Sequence, residues 1–421
     1  MAKETTLSRD VLRQIQEIKA VDLVVGIPTY NNAETVGHVL RTVSAGLATH
    51  FPELRTLVVH SDGGSRDATK SVVAQTVQGD PNLLVLSHLP HPIQRIIAPY
   101  SGSFGRSHAI HTFFEITDSL GAKALAFVDA SSRSINGEWV ALLTKPVLSE
   151  GYDLVTPLYS RHKYDGTITS HLIYPLIRAL YGKRIRQPVG DDFGFSGRLI
   201  SFYLRQNIWR QYLSQYGLEI WLTGAAVAGG FKTCQSFLGP KVSTRSEPGI
   251  ELSSVLNQVM GTLFTMMESN HELWSQIWGS EPIPVFGFPA EVGLGPVDIE
   301  ADRMIQAFRL GLDDLTGVWK NVLTPAVLEN LSRIADASPP DFRFADGIWV
   351  KTVFEFATAF HKNRMSRDHL IKSLTPIYLG RIASFVLETQ NSTAVDVDNK
   401  TELLCLEYET QKPYLIERWR H

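Results

Sequence analysis

The sequence predicts an α/β fold: a mostly parallel sheet flanked by helices, followed by a mainly helical C-terminal domain. Three features point there. Strand, loop and helix patterns alternate from Val21 onward, polar or glycine-rich turns follow the apolar runs, and helical periodicity takes over near Glu251. The expected divisions are an N-terminal helix over residues 1–20, an α/β domain over 21–250 and a helical domain over 251–421.

Each element follows from local pattern. "VDLVVGIP" is a short apolar run rich in β-branched residues and stopped by Pro28. In "TYNNAETVGHVLRTVSAGL", Val36, Val39, Leu40 and Val43 fall at helical spacing. "RTLVVHSDGGSRDATKSVVAQT" repeats the plan as strand, Gly-rich turn and a helix beginning near Asp67. "NLLVLSHL" is a third strand, "SFGRSHAIHTFFEITDSL" a loop entering a helix, and "KALAFVDA" a fourth strand. Beyond residue 150, "YDLVTPLYS" and "FKTCQSFLG" read as strands, and "SHLIYPLIRALYG" and "SGRLISFYLRQNIWRQYLSQY" as helices. "ELSSVLNQVMGTLFTMMESNHELWSQIW" is a long helical pattern, and later segments up to Leu387 are mainly helical.

Composition narrows the function classes. The chain has 421 residues, 44% hydrophobic and 20% charged, with a formal net charge of −3. That balance gives no reason to expect nucleic acid or an anionic membrane as partner. The local basic run Lys183-Arg184-Ile185-Arg186 reads as a solvated face or as a contact for an anionic ligand. Cys234 and Cys405 lack both a disulfide framework and metal-ligand spacing. The polar, amphipathic N-terminus has no apolar signal region, and no run approaches the roughly 20 apolar residues of a membrane span. The expectation is a cytoplasmic protein.

In parallel sheets the ligand lies outside the carboxyl ends of the strands. That places Pro28–Asn32, Ser61–Asp67 and Asp129–Ser131 along one rim. Pro28 fixes the backbone, and the groups after it suit a nucleotide base; an ordinary turn with Asn as helix cap is the plainer use. Gly63 and Gly64 permit close approach to a ligand, and Asp62 suits a base N–H or a ribose hydroxyl. Asp67 and Thr69 look structural, opening the next helix. No Gly-Lys-Ser/Thr follows, so this is not a P-loop.

These motifs resemble nucleotide-sugar glycosyltransferases of the GT-A fold, on Pro-Thr-Tyr-Asn, Ser-Asp-Gly-Gly-Ser-Arg-Asp-Ala-Thr and a strand-end Asp129. "YDGTITSHLIYPLIRALYG", "RQPVGDDFGFSG", "QYGLEIWL" and "SFLGPKVS" are similar to the retaining glucosyl-3-phosphoglycerate, glucosylglycerate and mannosylglycerate synthases. The helical tail "FRFADGIWVKTVFEFATAFH" is similar to the C-terminal part of the single-step synthases, so the resemblance covers most of residues 21–390. It implies that Pro28, Thr29 and Asn31 line the base and that Asp62 binds base or ribose. Arg106, in Gly105-Arg106-Ser107, stands where the family has a phosphate-binding Lys. Asp129, Ala130 and Ser131 correspond to its Asp-X-Asp, and Gln187 belongs to the matching Gln-Pro segment. Glu219 matches a carboxylate accepting from the donor sugar, and Asp191-Asp192 includes the acidic residue near sugar and acceptor. The implied catalytic residues are Asp192 and Glu219.

The chain departs from the family where a divalent ion is held. Mg²⁺ or Mn²⁺ is the implied cofactor, with Asp129 as ligand, but Ser131 and Ser243 stand at the other two ligand positions. A neutral hydroxyl is a weak ligand for a hard cation. Three readings stay open: a water-rich ion on Asp129, charge supplied by Arg106 and Lys241 instead, or a site that only binds. On the acceptor side, the segment Gly166, Thr167, Ile168, Thr169 has Thr167 where phosphoglycerate-using relatives carry an Arg. Loss of the guanidinium favours a smaller acceptor such as glycerate, with Thr169 on its carboxylate. His162 and Lys163 are a lesser candidate for an anion contact; His108 and His111 are read as core or surface residues. The implied partners are a nucleoside-diphosphate hexose and a small hydroxy acid, with a homodimer allowed by the helical C-terminal domain. The rival expectation is a degenerate GT-A-like protein that binds nucleotide sugar or a protein partner.

Overall fold

The computed structural model describes residues 7, 9–18, 20–76, 83–87, 101–206, 209, 215–243, 252–288 and 300–420, with backbone alone for 9, 10, 83–87, 101–105, 215 and 216. The chain forms two compact units. The first is Met1–Ser160, Gln187–Glu247 and Ile283–Val292; the second is Arg161–Arg186, Pro248–Pro282 and Gly293–His421.

The first unit is built on strands β1 (Leu23–Thr29), β2 (Thr56–Asp62), β3 (Leu83–Ser87), β4 (Ala124–Phe127) and β5 (Leu154–Ser160). The second unit contributes β6 (Lys183–Arg184), and the first continues with β7 (Phe193–Ser196) and β8 (Thr233–Pro240). β9 (Glu281–Pro282) pairs with β6 in the second unit, and β10 (Val285–Phe286) returns to the first. The main sheet runs β10-β8-β5-β7-β4-β1-β2-β3. All neighbours are parallel except β7, which is antiparallel to both β4 and β5. This is the mostly parallel α/β architecture that the alternating pattern predicts.

Both faces of the sheet are covered, which is why its central strands read as continuous apolar runs. Successive side chains alternate between faces. Val24, Leu125 and Phe127 pack with Phe113, Phe114, Leu199 and Leu222 from three helices, where Ile15 of the N-terminal helix Arg9–Ile18 also lies. Leu23, Val25, Ile27, Ala124 and Ala126 pack on the other side against Val39, Val43, Trp139 and Leu143.

Periodicity does not announce the two-residue strands β6, β9 and β10, nor β7 inside the main sheet; the segment around Asp191 and Asp192 reads as a loop in the sequence. The core position of β7 is Gly194, and a Cβ there would lie 1.9 Å from the Leu143 carbonyl oxygen. The helix Glu138–Glu150 therefore sits directly on the backbone of β7, and the glycine that permits this removes the strand signal.

The second unit is helical, and buried cations tie its segments together. Arg178 pairs with Glu402 and with Glu409, the latter at 2.6 Å. Arg381 donates to Asp346 and to the Phe344 carbonyl. Lys412 lies 2.7 Å from the carbonyls of both Ala179 and Ile277, and burial draws its pKa down to about 8. Contrary to the expectation that no run is long and apolar enough for a membrane, Arg367–Thr389 passes on length and composition. In the fold it forms two consecutive helices, Arg367–Ser373 and Thr375–Thr389, and 72% of the apolar window is buried.

Gly194→Ala should destabilise the protein by about 3 kcal/mol, the upper end of overpacking costs, because a backbone carbonyl has little room to yield. Urea unfolding measures this; an unchanged midpoint would mean that β7 does not pack on the helix as described.

Candidate functional site

The three loops of the sequence-predicted rim come together. β1 and β2 are in register, with Pro28 opposite Ser61 and Thr29 opposite Asp62, and Val128 donates to Gly26 alongside. Beyond the strand ends the loops bond to one another. Gly63 N–H donates to the Thr29 carbonyl at 2.8 Å, Asn31 N–H to Ser65 Oγ at 2.9 Å and Arg66 N–H to Asn31 Oδ1 at 2.9 Å. Thr35 Oγ1 donates to the Ala130 carbonyl at 2.7 Å, linking the first loop to the fourth strand's end. Asn31 is exposed at a φ of 55°, a backbone region that Asn tolerates better than most residues.

Asp62 faces its own turn. It accepts from the Gly64 and Ser65 N–H groups at 3.0 Å each, from Ser65 Oγ and from Thr29 Oγ1. Burial works against its charge, but these donors and Lys70 outweigh that and hold its pKa below the usual carboxylate value. His60, bonded to Thr29 Oγ1 at 2.9 Å, is drawn down to about 4 by burial.

Beside these loops lies a closed cluster of charges. Lys241 Nζ is 2.8 Å from Asp192 Oδ2, 3.4 Å from Asp129 Oδ2 and 3.8 Å from Asp191 Oδ2. Arg106 Nε is 3.1 Å from Glu219 Oε1, one terminal nitrogen is 3.3 Å from Asp191 Oδ1, and the other donates to the Asp191 carbonyl. The guanidinium also rests 5.0 Å from the Phe127 ring centroid. Asp192 Oδ1 accepts the Asp129 N–H at 2.9 Å, and Oδ2 accepts from the Tyr159 hydroxyl. Asp192 is 0% exposed, whereas the Asp191 side chain is 33% exposed. Four carboxylates thus share two cations. Burial opposes charge on Arg106 and Lys241, but the carboxylates outweigh it and keep both protonated. Asp192 is pushed above the usual carboxylate range by burial and by the like charges of Asp129 and Asp191, against the pull of Lys241.

The donor set does not fit a divalent ion. Both Asp129 oxygens are engaged: Ser131 N–H donates to Oδ1 at 3.2 Å, and Ser131 Oγ to Oδ2, which Lys241 also faces. Ser131 is therefore a hydrogen-bond donor to the very carboxylate it would have to join as a ligand. Ser243 is paired through its backbone with Ser132. Among the described residues, no three His, Cys, Asp or Glu side chains converge as an ion would need.

The other expected residues take up definite places. The Gln187 side-chain amide brackets the end of β5, accepting from Tyr159 N–H at 3.1 Å and donating to the Tyr159 carbonyl at 3.0 Å. Gly166, Thr167 and Thr169 belong to the second unit. There Gly166 has a φ of 71°, Thr167 Oγ1 bonds the Tyr378 hydroxyl at 2.7 Å, and Thr169 opens a π-helical turn, Thr169–Ile173. Lys163 does not present a free ammonium: it bonds the carbonyls of Thr389, Gln390 and Ser392 and caps a helix end. Tyr159 and Trp139, whose rings lie 5.3 and 5.6 Å from Lys241 Nζ, were not expected at the site. For Tyr159 a signal existed, its place near the carboxyl end of a strand.

No protein-family model and no curated protein matches the chain. Among solved structures, it is similar to glucosyl-3-phosphoglycerate synthase from Mycobacterium tuberculosis in complex with Mn²⁺, uridine diphosphate and phosphoglyceric acid. That match has 21% identity over 60% of this chain and 82% of that one, with a TM-score of 0.44. The same enzyme with Mn²⁺ and uridine-diphosphate-glucose gives 21% identity, 60% and 82% coverage and a TM-score of 0.43. A structure described as a mycobacterial protein matches at 19% identity, 63% and 79% coverage and a TM-score of 0.42.

Asp62→Asn should loosen the turn and cost about 1.5–3 kcal/mol at neutral pH, the range for hydrogen bonds to a charged group. Because the folded-state pKa is lowered, this stabilisation is present above the ordinary value of 3.8 and lost as pH falls through the folded-state value. The gap between wild type and variant should therefore be present in unfolding curves at neutral pH and close at acid pH; a constant gap would assign the loss to shape rather than charge.

Proposed function

We propose that the protein is a hexosyltransferase of the GT-A kind, moving a hexose from a nucleoside diphosphate to a small hydroxy acid such as glycerate. The observation that carries this reading is the convergence of Asp129, Asp192, Glu219, Arg106 and Lys241 beside the loops after β1, β2 and β4. Exposed Asn31 and the turn held by Asp62 offer a place for base and ribose. Arg106 and Lys241 are the cations for the diphosphate, and Glu219 is an acceptor for hydroxyls of the donor sugar. The partly exposed Asp191, which faces both cations, is the carboxylate that an incoming phosphate would displace.

The bond from the sugar's anomeric carbon to the diphosphate breaks, and a bond to the acceptor hydroxyl forms on the same face. The acceptor proton leaves with the departing diphosphate. Asp192 supports this course over inversion: its oxygens already accept from Asp129 N–H, Tyr159 and Lys241, so it is poorly placed to take a proton as base. In this reading Asp192 holds Lys241 and the strand end in place. The acceptor's ligands would be Gly166, Thr167 and Thr169, without the Arg that would favour a phosphorylated acid.

A second reading, binding of a nucleotide sugar without turnover, is favoured by the closed charge pairing of both cations. Assays pairing UDP-, GDP- and ADP-hexoses with D-glycerate separate the two. Turnover with at least one pair is expected; nucleotide binding without turnover for any pair selects the second reading. Arg106→Ala should weaken nucleoside diphosphate binding by about tenfold or more while sparing the nucleoside, as expected for loss of a charge-assisted contact. Equal losses for both ligands would make Arg106 structural.

A further inference from the structure

We propose that Lys241 is the resident cation of this site: its ammonium stands where a divalent ion would meet Asp129, and the chain binds a diphosphate without such an ion. The diphosphate part rests on the nucleotide-sugar reading above; the exclusion of metal stands on the geometry alone.

The backbone is built to put Lys241 there. At the end of β8 the pairing with β5 shifts register, and Gly239 adopts a φ of 81°, a conformation that suits glycine. The chain then runs against the loop after β4. Arg133 N–H donates to the Val242 carbonyl at 2.8 Å, Val242 N–H donates to Ser134 Oγ at 3.0 Å, and Ser132 pairs with Ser243. With its neighbour anchored through both N–H and carbonyl to the loop after β4, Lys241 has a side chain that is 6% exposed, its ammonium 5.6 and 5.3 Å from the rings of Trp139 and Tyr159.

Three sequence features then form one consistent set. A carboxylate at position 131 would add a further negative charge beside a single ammonium, whereas Ser131 supplies donors to Asp129. Ser243 contributes backbone pairing to the segment that carries Lys241. Lys241 supplies the charge. An ammonium has three donors in tetrahedral array. Asp192 takes the shortest contact, Asp129 the next, and Asp191, the most exposed of the three, the longest. The direction of Asp191 is therefore the one along which a phosphate oxygen can replace a protein ligand, without the ammonium leaving its seat.

The test is a titration of Mn²⁺ into the full-length protein, followed by the electron paramagnetic resonance signal of the free ion, alongside calorimetric UDP binding in EDTA and in Mn²⁺. The free-ion signal should be undiminished, and UDP affinity should change by less than about twofold between the two media. Mn²⁺ bound at about 0.1 mM or tighter, and released by Asp129→Asn, would overturn the proposal. So would UDP binding that disappears in EDTA. Lys241→Met should lower UDP affinity by about tenfold or more, the scale of a lost charged contact, in a variant whose near-ultraviolet circular dichroism matches wild type. If that variant does not fold, the two wild-type titrations still decide. Absence of binding in both media for UDP, and for GDP and ADP titrated in the same way, would sink the nucleotide-sugar reading and the diphosphate part, leaving the Mn²⁺ titration to judge the metal exclusion separately.

Discussion

Burying charge is costly unless each charge finds a partner, and the first unit is organised around that constraint. Arg106 and Lys241 are almost wholly removed from water, with Asp129, Asp192 and Glu219 beside them. None could stay ionised alone at such depth. Their mutual distances are set by backbone: Asp129 follows β4, Asp192 precedes β7, and Lys241 follows β8. Antiparallel β7, lying between β4 and β5, brings the second carboxylate to the first. The strand order of the sheet and the charge balance of the site are one arrangement seen at two scales.

Around this cluster the loops are held by short-range polar bonds. Asp62 gathers its own turn, Asn31 and Ser65 join the first loop to the second, and Thr35 joins the first to the loop after β4. A ligand at this rim would meet a surface whose shape is largely set in advance, which lowers the ordering cost of binding. The second unit uses its cations differently. Lys163 and Lys412 bond backbone carbonyls, and Arg178 and Arg381 bond carboxylates, so these positive charges bind helical segments to one another.

The two roles show why residue type alone does not assign a site. Lys163 lies near the segment expected to meet an acceptor, yet its ammonium closes a helix end through three carbonyls. Thr167 stands where a guanidinium is implied by resemblance, and its hydroxyl meets Tyr378. Gln187 completes the hydrogen bonding of the end of β5. Each is polar, suitably placed in the sequence, and engaged by its own chain.

The amino-acid sequence by itself determined the α/β alternation and the turns after β1, β2 and β4. These are written in local pattern: buried parallel strands are apolar runs, and strand-end residues are polar. Tertiary structure alone decided the rest. β7 is short and carries Gly194, so it leaves no periodic trace, and its burial of Asp192 is equally hidden. That Arg161–Arg186 belongs with the helical unit depends on contacts with helices far along the chain, such as those of Arg178 with Glu402 and Glu409. The pairing of Lys241 with Asp192 joins residues 49 positions apart. Periodicity reports which face of an element is buried, whereas a charge pair depends on where two backbones meet, and only the folded sheet brings those two backbones together.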